Sequence, residues 1–550
     1  MPQPITFDGP RLLVDGTPFL VVGAELHNSS ASSLPAIERS FTRTAELGAT
    51  TLLAPVAWEQ WEPSEGSYDT TLLDGMLETA RRLSVRLILL WFGSWKNGMS
   101  SYVPAWVKVD TDRFPRAETK NGRVEVLSPF EVTSRDADAR AFAALMAHLR
   151  EHDREQTVIM VQVENEVGLL GDSRDRSALA DAAWSQPVPD EVVAAITEAM
   201  PAHQAWVSAG SKPSGTWAEV FGTGPAAEEA FMAAAYASYV EQVAAAGHGA
   251  YGGVPLFVNA WLAVPSMIGE IIDGMIAAKK AAGEDVDESQ FATVKKQFAV
   301  EGGVQPGSYP SGGPVSRVAP IWRALAPTLS LLAPDIYYKD VESVCQEYKA
   351  ASGRLFIPEC RRSAEGVAGM YRAIGLHGAI GACPFGIDSL SPESGDYEVV
   401  TDAFTQLRAV AGVVAASGAS PVGFVVTAEQ PTATVTFGKW TMHVDTRSMG
   451  LSAPTYPAYG LVVPLGDDEA LIVGRAYSPT FSHADGGIPG LVSVDELEGD
   501  GSVRRRLNGD ETASGSRITF YALGAKPAPF MPIPHPQEST GIYRVRLYTY

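Results

Sequence analysis

The sequence is short of cysteine, histidine and positive charge, and it has no apolar run of membrane-spanning length. Its three cysteines, Cys345, Cys360 and Cys383, are odd in number and form no Cys-x-x-Cys pair. That excludes a disulfide framework and points to reduced thiols in a cytoplasmic protein. The nine histidines show no His-x-His or HExxH spacing, so the ligand patterns of a zinc hydrolase are missing. No metal and no cofactor are expected. Lys and Arg number 42 against 64 Asp and Glu, a formal net charge of −22. Phosphate contacts need a basic surplus, so the balance disfavours nucleic acid, anionic membrane surfaces and polyanionic substrates. A neutral ligand such as a sugar stays open. No apolar run approaches the roughly 20 residues of a membrane helix. The start, MPQPITFDGPRLLVDG, has no basic segment followed by an apolar one, so no signal peptide is expected.

What is present is a long alternation of apolar runs and helix-period segments. FLVVGA (19–24), TTLLAPVAW (50–58), VRLILLWF (85–92), TVIMVQV (157–163), PLFVNAW (255–261), LSLLAPDIYY (329–338), RLFIP (354–358) and GAIGACPFGI (378–387) read as eight strands. Between them lie amphipathic stretches such as Ile37, Phe41 and Ala45, or Phe142, Leu145, Met146 and Leu149. Strands that are apolar throughout imply burial on both faces of a parallel sheet. Eight βα units predict a (β/α)8 TIM barrel over residues 1–414. The competing open sheet would carry a glycine-rich phosphate loop after strand one, and GAELHNSS is not one. Residues 263–302 form a helical insertion between strands five and six, read either as a surface addition or as a lid over the mouth. From 415 to 550 the period becomes two, as in TATVTF (432–437) and in Tyr543, Val545 and Leu547, with Gly-Asp turns between runs. This predicts an antiparallel, sandwich-like β-domain.

Barrel enzymes place their catalytic groups at the C-terminal ends of strands. In MVQVENEVG (160–168) a buried strand ends in Glu164, Asn165 and Glu166, groups that are costly there without partners or a task. Regular alternation puts Glu164 and Glu166 on one side and Asn165 on the other. In RLFIPEC (354–360) Glu359 ends the seventh run. Two carboxyls about 5–5.5 Å apart cleave a glycoside with retention through a covalent intermediate. One must hold its proton and the other must be ionised, and Arg361 and Arg362 follow Glu359 closely enough to assist. Tryptophans cluster at strand ends. Two or three of them, Trp58, Trp95 and Trp261 foremost, are candidate platforms for sugar C–H faces.

These strand-end motifs resemble the retaining glycosidase clan that includes glycoside hydrolase family 35, the β-galactosidase family. Asn165-Glu166 and Glu359 are similar in type and order to the clan's pair. APVAWEQWEPSEGSYD (54–69) resembles the family's Trp…Glu-Pro…Gly-x-Tyr-Asp stretch, and VQVENEVG its Gln-x-Glu-Asn-Glu-x-Gly motif. The segments 91–116, 306–314 and 333–338 resemble a bacterial subgroup with a C-terminal β-domain of uncharacterised type. The resemblance implies a retaining β-glycosidase with Glu166 as acid/base, Glu359 as nucleophile and Asn165 on the sugar 2-hydroxyl. Trp58, Glu59, Trp95, Asn97, Asn259, Trp261 and Tyr337 are the further substrate-binding candidates. Where the family carries a sugar-binding glutamate after strand three, this chain has Trp95, Lys96 and Asn97. The expected partner is an oligosaccharide or glycoside, with homo-oligomerisation left open. A β-glucosidase, a transglycosylase on the same scaffold and a non-catalytic sugar-binding protein are the competing readings.

Overall fold

A computed structural model describes residues 3–263, 276, 279, 303–337, 340–446, 455–507, 509–512, 517–525 and 539–550. The expected insertion at 263–302 lies outside the described residues, apart from 263, 276 and 279.

Eight parallel strands and eight helices alternate. The strands are β1 (Gly23–Glu25), β2 (Thr51–Ala57), β3 (Arg86–Lys96), β4 (Val158–Asn165), β5 (Leu256–Ala260), β6 (Leu331–Pro334), β7 (Ile357–Cys360) and β8 (Ala382–Pro384). The helices are α1 (Leu34–Glu46), α2 (Thr71–Arg82), α3 (Val132–His152), α4 (Pro225–Ala250), α5 (Ala319–Leu325), α6 (Val341–Ser352), α7 (Ala364–His377) and α8 (Gly395–Ser417). β1 to β6 form one continuous parallel sheet and β7 pairs with β8. Bridges from Ile336 to Cys360, from Val21 to Gly381 and from Glu25 to Phe385 close the ring.

All seven residues of β2 and all eight of β4 are buried, because the ring fills one face and the helices cover the other. α1 shows how the outer layer forms. The Ser33 hydroxyl accepts from the Ala36 N–H, and Ile37 and Phe41 bury against the sheet, each worth roughly 1.5–3 kcal/mol. A three-stranded antiparallel sheet from residues 6–18 precedes β1. Its neighbourhood bonds to Gly253 and Gln156, just before β5 and β4, so it covers the end of the barrel opposite the mouth.

The mouth carries long additions. A hairpin, Arg116–Thr119 with Gly122–Leu127, follows β3. Four short helices between Ala178 and Phe221 follow β4. The glycine-rich stretch 306–314 zips onto the start of that loop through paired Leu169–Ser311 backbone bonds. Gly168 is required there: its φ is +137°, and a Cβ would stand 2.5 Å from Pro310.

After α8, two antiparallel sheets follow. One has six strands, from Val422–Val426 to Ile542–Thr549, and the other has three, including Thr432–Phe437. They share an apolar core that includes Val435, Phe437, Trp440, Tyr543, Val545 and Leu547, which is the period-two face read from the sequence. The expected boundary at 414/415 falls inside α8, which runs to Ser417. By length and composition α8 is apolar enough to cross a membrane. Its Val400, Phe404, Leu407 and Val410 are nevertheless buried in the protein, the pattern of a core helix. The β-sheets seat closely on the barrel: a Cβ on Gly375 of α7 would lie 2.3 Å from Gly423. Arg475 pairs with Asp402 of α8 across the same junction.

Candidate active site

Six of the eight strand ends send polar side chains to one buried centre. Glu25 comes from β1, Lys96 from β3, Asn165 and Glu166 from β4, Asn259 from β5, Asp335 from just past β6 and Glu359 from β7; all are buried. Carboxylate oxygens of Glu166, Asp335 and Glu359 lie within 4.8 Å of one another.

The backbone holds Glu166 on both sides. Its N–H donates to Asn259 Oδ1 at 2.9 Å, and its carbonyl accepts from the Gly98 N–H at 3.1 Å. Asn259 Nδ2 donates in turn to Asp335 Oδ2 at 2.8 Å. Glu166 has φ +46° and Glu164 φ +64°, a region that costs a non-glycine residue of order 1–3 kcal/mol and concentrates at functional sites. This double left-handed turn corrects the expected alternation. Glu164 does not share a side with Glu166; it turns back to accept from the Ser94 and Trp95 N–H groups at 3.1 and 2.8 Å, beside Asp138 of α3. There it ties the end of β4 to the end of β3. Burial, then the Asp138 charge, raises its pKa well above the ordinary carboxylate range.

On the other side of the centre, Tyr337 Oη donates to Glu359 Oε2 at 2.6 Å. Glu359 Oε1 has no partner among the described residues. Burial, then the Glu359 charge, raises the tyrosine pKa, so the phenol stays a donor. Glu166 is pushed up to about 7 by burial and by the Glu359 charge, with Lys96 acting against both. Asp335 is raised well above its usual value by burial and by Glu359, Glu166 and Glu25. Burial opposes the Lys96 charge, but Glu359, Glu166, Glu25 and Asp335 outweigh it and raise the lysine pKa. Its ammonium rests 5.0 Å from the centre of the Phe92 ring. Asn165 and Gln162 of β4 are wholly buried, with both amide atoms unpartnered among the described residues.

Three carboxylates this close match the donor set of a hard cation. Asp335 and Glu359 each spend an oxygen on an amide or a phenol, and the Lys96 ammonium occupies the same field. The set therefore serves proton transfer and nucleophilic attack at least as readily.

The other predicted residues fall elsewhere. Trp58 is fully buried, donating from Nε1 to Glu62 at 2.8 Å and packing on Trp91 and Trp106. Trp95 is also fully buried, donating to the Leu127 carbonyl at 3.3 Å and packed against Tyr236 and Tyr239. Neither offers a ring face to a ligand. A tryptophan at a strand end reads the same in sequence whether it stands in the mouth or tucks beneath a loop. Glu59 is exposed and pairs with Lys108 at 2.8 Å, outside the carboxylate cluster. Asn97 is half-buried in the turn whose Gly98 supports Glu166, so backbone carries the contact there. Trp261 is half-buried just past β5. Arg362 bonds Ser389 at 2.7 Å, beyond β8, and does not assist Glu359. Sequence reasoning missed Glu25, Lys96 and Asp335, each a lone polar residue at a strand end. A separate cavity of about 690 Å³ adjoins the mouth at Tyr337 and is lined also by Cys360, Val425 and Tyr456.

Residues 35–201 match the β-galactosidase family model of glycoside hydrolase family 42, and residues 400–519 match a domain of unknown function (DUF5597). The first match takes in β2 to β4 with Glu166, so over these residues the chain is similar to the β-galactosidase family. It corrects the family-35 expectation to a family-42-like one. No curated protein matches the sequence. Among solved structures, the catalytic domain of a β-amylase from Paenibacillus polymyxa aligns at 11% identity and TM-score 0.45, over 69% of this chain and 96% of that one. A β-galactosidase from Bacillus circulans sp. alkalophilus aligns at 11% and 0.46, over 73% and 57%. A GH42 β-galactosidase from G. stearothermophilus aligns at 13% and 0.46, over 72% and 59%. The chain thus spans under two thirds of the β-galactosidase chains it matches.

Proposed function

We propose that the chain is a retaining β-glycosidase that cleaves a terminal β-linked sugar, with β-galactosides as the first substrates to try. The observation that carries this is the approach of the Glu166 and Glu359 carboxylates to within 4.8 Å at facing strand ends, close to the roughly 5–5.5 Å of a double displacement.

In the first step Glu359 Oε1, the oxygen free of Tyr337, attacks the anomeric carbon. Glu166 gives its proton to the departing glycosidic oxygen, so the bond to the aglycone breaks as the bond to Glu359 forms. In the second step the ionised Glu166 takes a proton from water. The hydroxyl oxygen bonds to the anomeric carbon, and Glu359 leaves as carboxylate. Asn165, buried with an amide unpartnered among the described residues, is our candidate to hold the sugar 2-hydroxyl, a contact that strengthens in the transition state. Asn259 and Tyr337 position the two glutamates.

The test is Glu359→Ala assayed on an aryl β-glycoside, with a chelator present throughout. Turnover is expected to fall by several orders of magnitude, and azide should restore phenol release while giving a glycosyl azide of inverted configuration. Undiminished turnover without azide would remove Glu359 from the mechanism.

A further inference from the structure

The double displacement uses Glu166 and Glu359, and Asp335 is tied to Asn259. Glu25 is left without a task. It is wholly buried at the end of β1, and neither of its oxygens has a hydrogen-bond partner among the described residues. Its field is that of the active site, with Glu359, Lys96 and Glu166 as its charged neighbours. Glu25 and Glu359 lie close enough to share a proton, a contact that still leaves acceptor lone pairs on both Glu25 oxygens. A buried carboxyl with two empty acceptor positions costs stability unless a ligand fills them.

The centre as a whole is rich in acceptors. Glu25 Oε1 and Oε2, Asp335 Oδ1, Glu359 Oε1 and Asn165 Oδ1 are buried and unpartnered among the described residues, against the donors of Asn165 Nδ2 and the Lys96 ammonium. A ligand that fits must bring hydroxyl donors and no negative charge.

We infer that Glu25 is the specificity-determining contact of this enzyme, accepting hydrogen bonds from two adjacent ring hydroxyls of a neutral pyranose. The inference rests on the glycosidase reading for the identity of the ligand. A carboxylate reaches two neighbouring hydroxyls at once, one per oxygen. Burial and the Glu359 charge favour the protonated form of Glu25. Hydroxyl donors of a bound ring favour the ionised form. A glycone bearing its own carboxylate is rejected by the same charge.

The test is a cycle read in binding, so that it does not depend on turnover. Galactose and glucose, each with its 3-, 4- and 6-deoxy forms, are titrated calorimetrically into the wild-type chain, Glu25→Gln and Glu25→Ala. In wild type, removing either of two adjacent hydroxyls should weaken binding by about ten- to a hundredfold, as for a hydrogen bond to a charged group. Glu25→Ala should lose as much on the parent sugar and nothing further on those two deoxy sugars, while the remaining deoxy penalty stays as in wild type. Glu25→Gln should keep part of the affinity. A purely structural role would give losses that multiply for every deoxy sugar, and that result overturns the proposal. So does failure of both parent sugars to bind at millimolar concentration. If the cycle holds but azide does not rescue Glu359→Ala, Glu25 stands and the hydrolytic reading falls; the reverse pattern removes Glu25 alone.

Discussion

Replacing Glu359 by Gln removes one negative charge from a site whose oxygen lies within 4.8 Å of a Glu166 oxygen, at nearly constant volume. Two unit charges about 5 Å apart repel by about 3 kcal/mol at an effective dielectric of ~20, equivalent to about two pH units. Glu166 sits at about 7, with burial as the larger cause and the Glu359 charge second. The Glu359→Gln enzyme should therefore titrate Glu166 about one to two pH units lower than wild type. The assay is NMR of glutamate labelled with ¹³C at Cδ, with the resonance assigned by its loss in Glu166→Gln. An unchanged or higher pKa for Glu166 in Glu359→Gln would refute the electrostatic coupling on which the proposed change from acid to base depends. The pH–rate profile follows from the same group. In the proposed role Glu166 acts as an acid only while protonated, so kcat/KM in wild type should decline as pH rises through about 7. Stability moves the same way. The folded state keeps a proton that the unfolded chain releases near 4.5, so this contribution is complete below 4.5 and lost as pH climbs to about 7.

Tyr337→Phe removes the 2.6 Å hydrogen bond to Glu359 Oε2 and should lower kcat/KM about ten- to a hundredfold, with an unfolding midpoint close to that of wild type. Trp95→Ala empties a fully buried site and should cost about 3–5 kcal/mol in denaturant unfolding. Trp261→Ala, at a half-buried position beside the mouth, should instead raise KM and leave stability within about 1 kcal/mol.

The barrel was legible because its strands are built on largely apolar runs, and few other architectures bury so many such runs on both faces. Glu166 and Glu359 stood out because carboxylates that end such runs demand a reason. The mouth as a whole was not legible. Glu25 ends a strand of three residues and belongs to no motif, so only ring closure beside β8 reveals its neighbours. Lys96 and Asp335 acquire meaning from one another and from the two glutamates, across gaps of tens to hundreds of residues. The turning of Glu164 away from Glu166 depends on two positive φ angles, which no side-chain pattern encodes for a glutamate. Trp58 and Trp95 misled because amphipathic rings suit loop cores as well as sugar faces. The four helices after β4 were hidden by their shortness, the longest having eight residues.

In the proposed mechanism, the single ammonium among four carboxyls lets the centre run two chemical steps without rebuilding itself. Burial and the surrounding carboxyl groups raise the pKa values of Glu25, Asp335 and Glu166. In the proposed double displacement, bonding of Glu359 to the sugar removes its charge, and in the same step Glu166 surrenders a proton and becomes the carboxylate. The negative charge in that step moves between groups whose oxygens lie within 4.8 Å, from β7 to the end of β4. Lys96, held on β3 and charged in both states because its carboxyl neighbours outweigh its burial, faces both positions. A fixed cation that serves both resting places of a moving charge needs no reorientation at the moment of reaction, which is the condition under which electrostatic preorganisation lowers a barrier most.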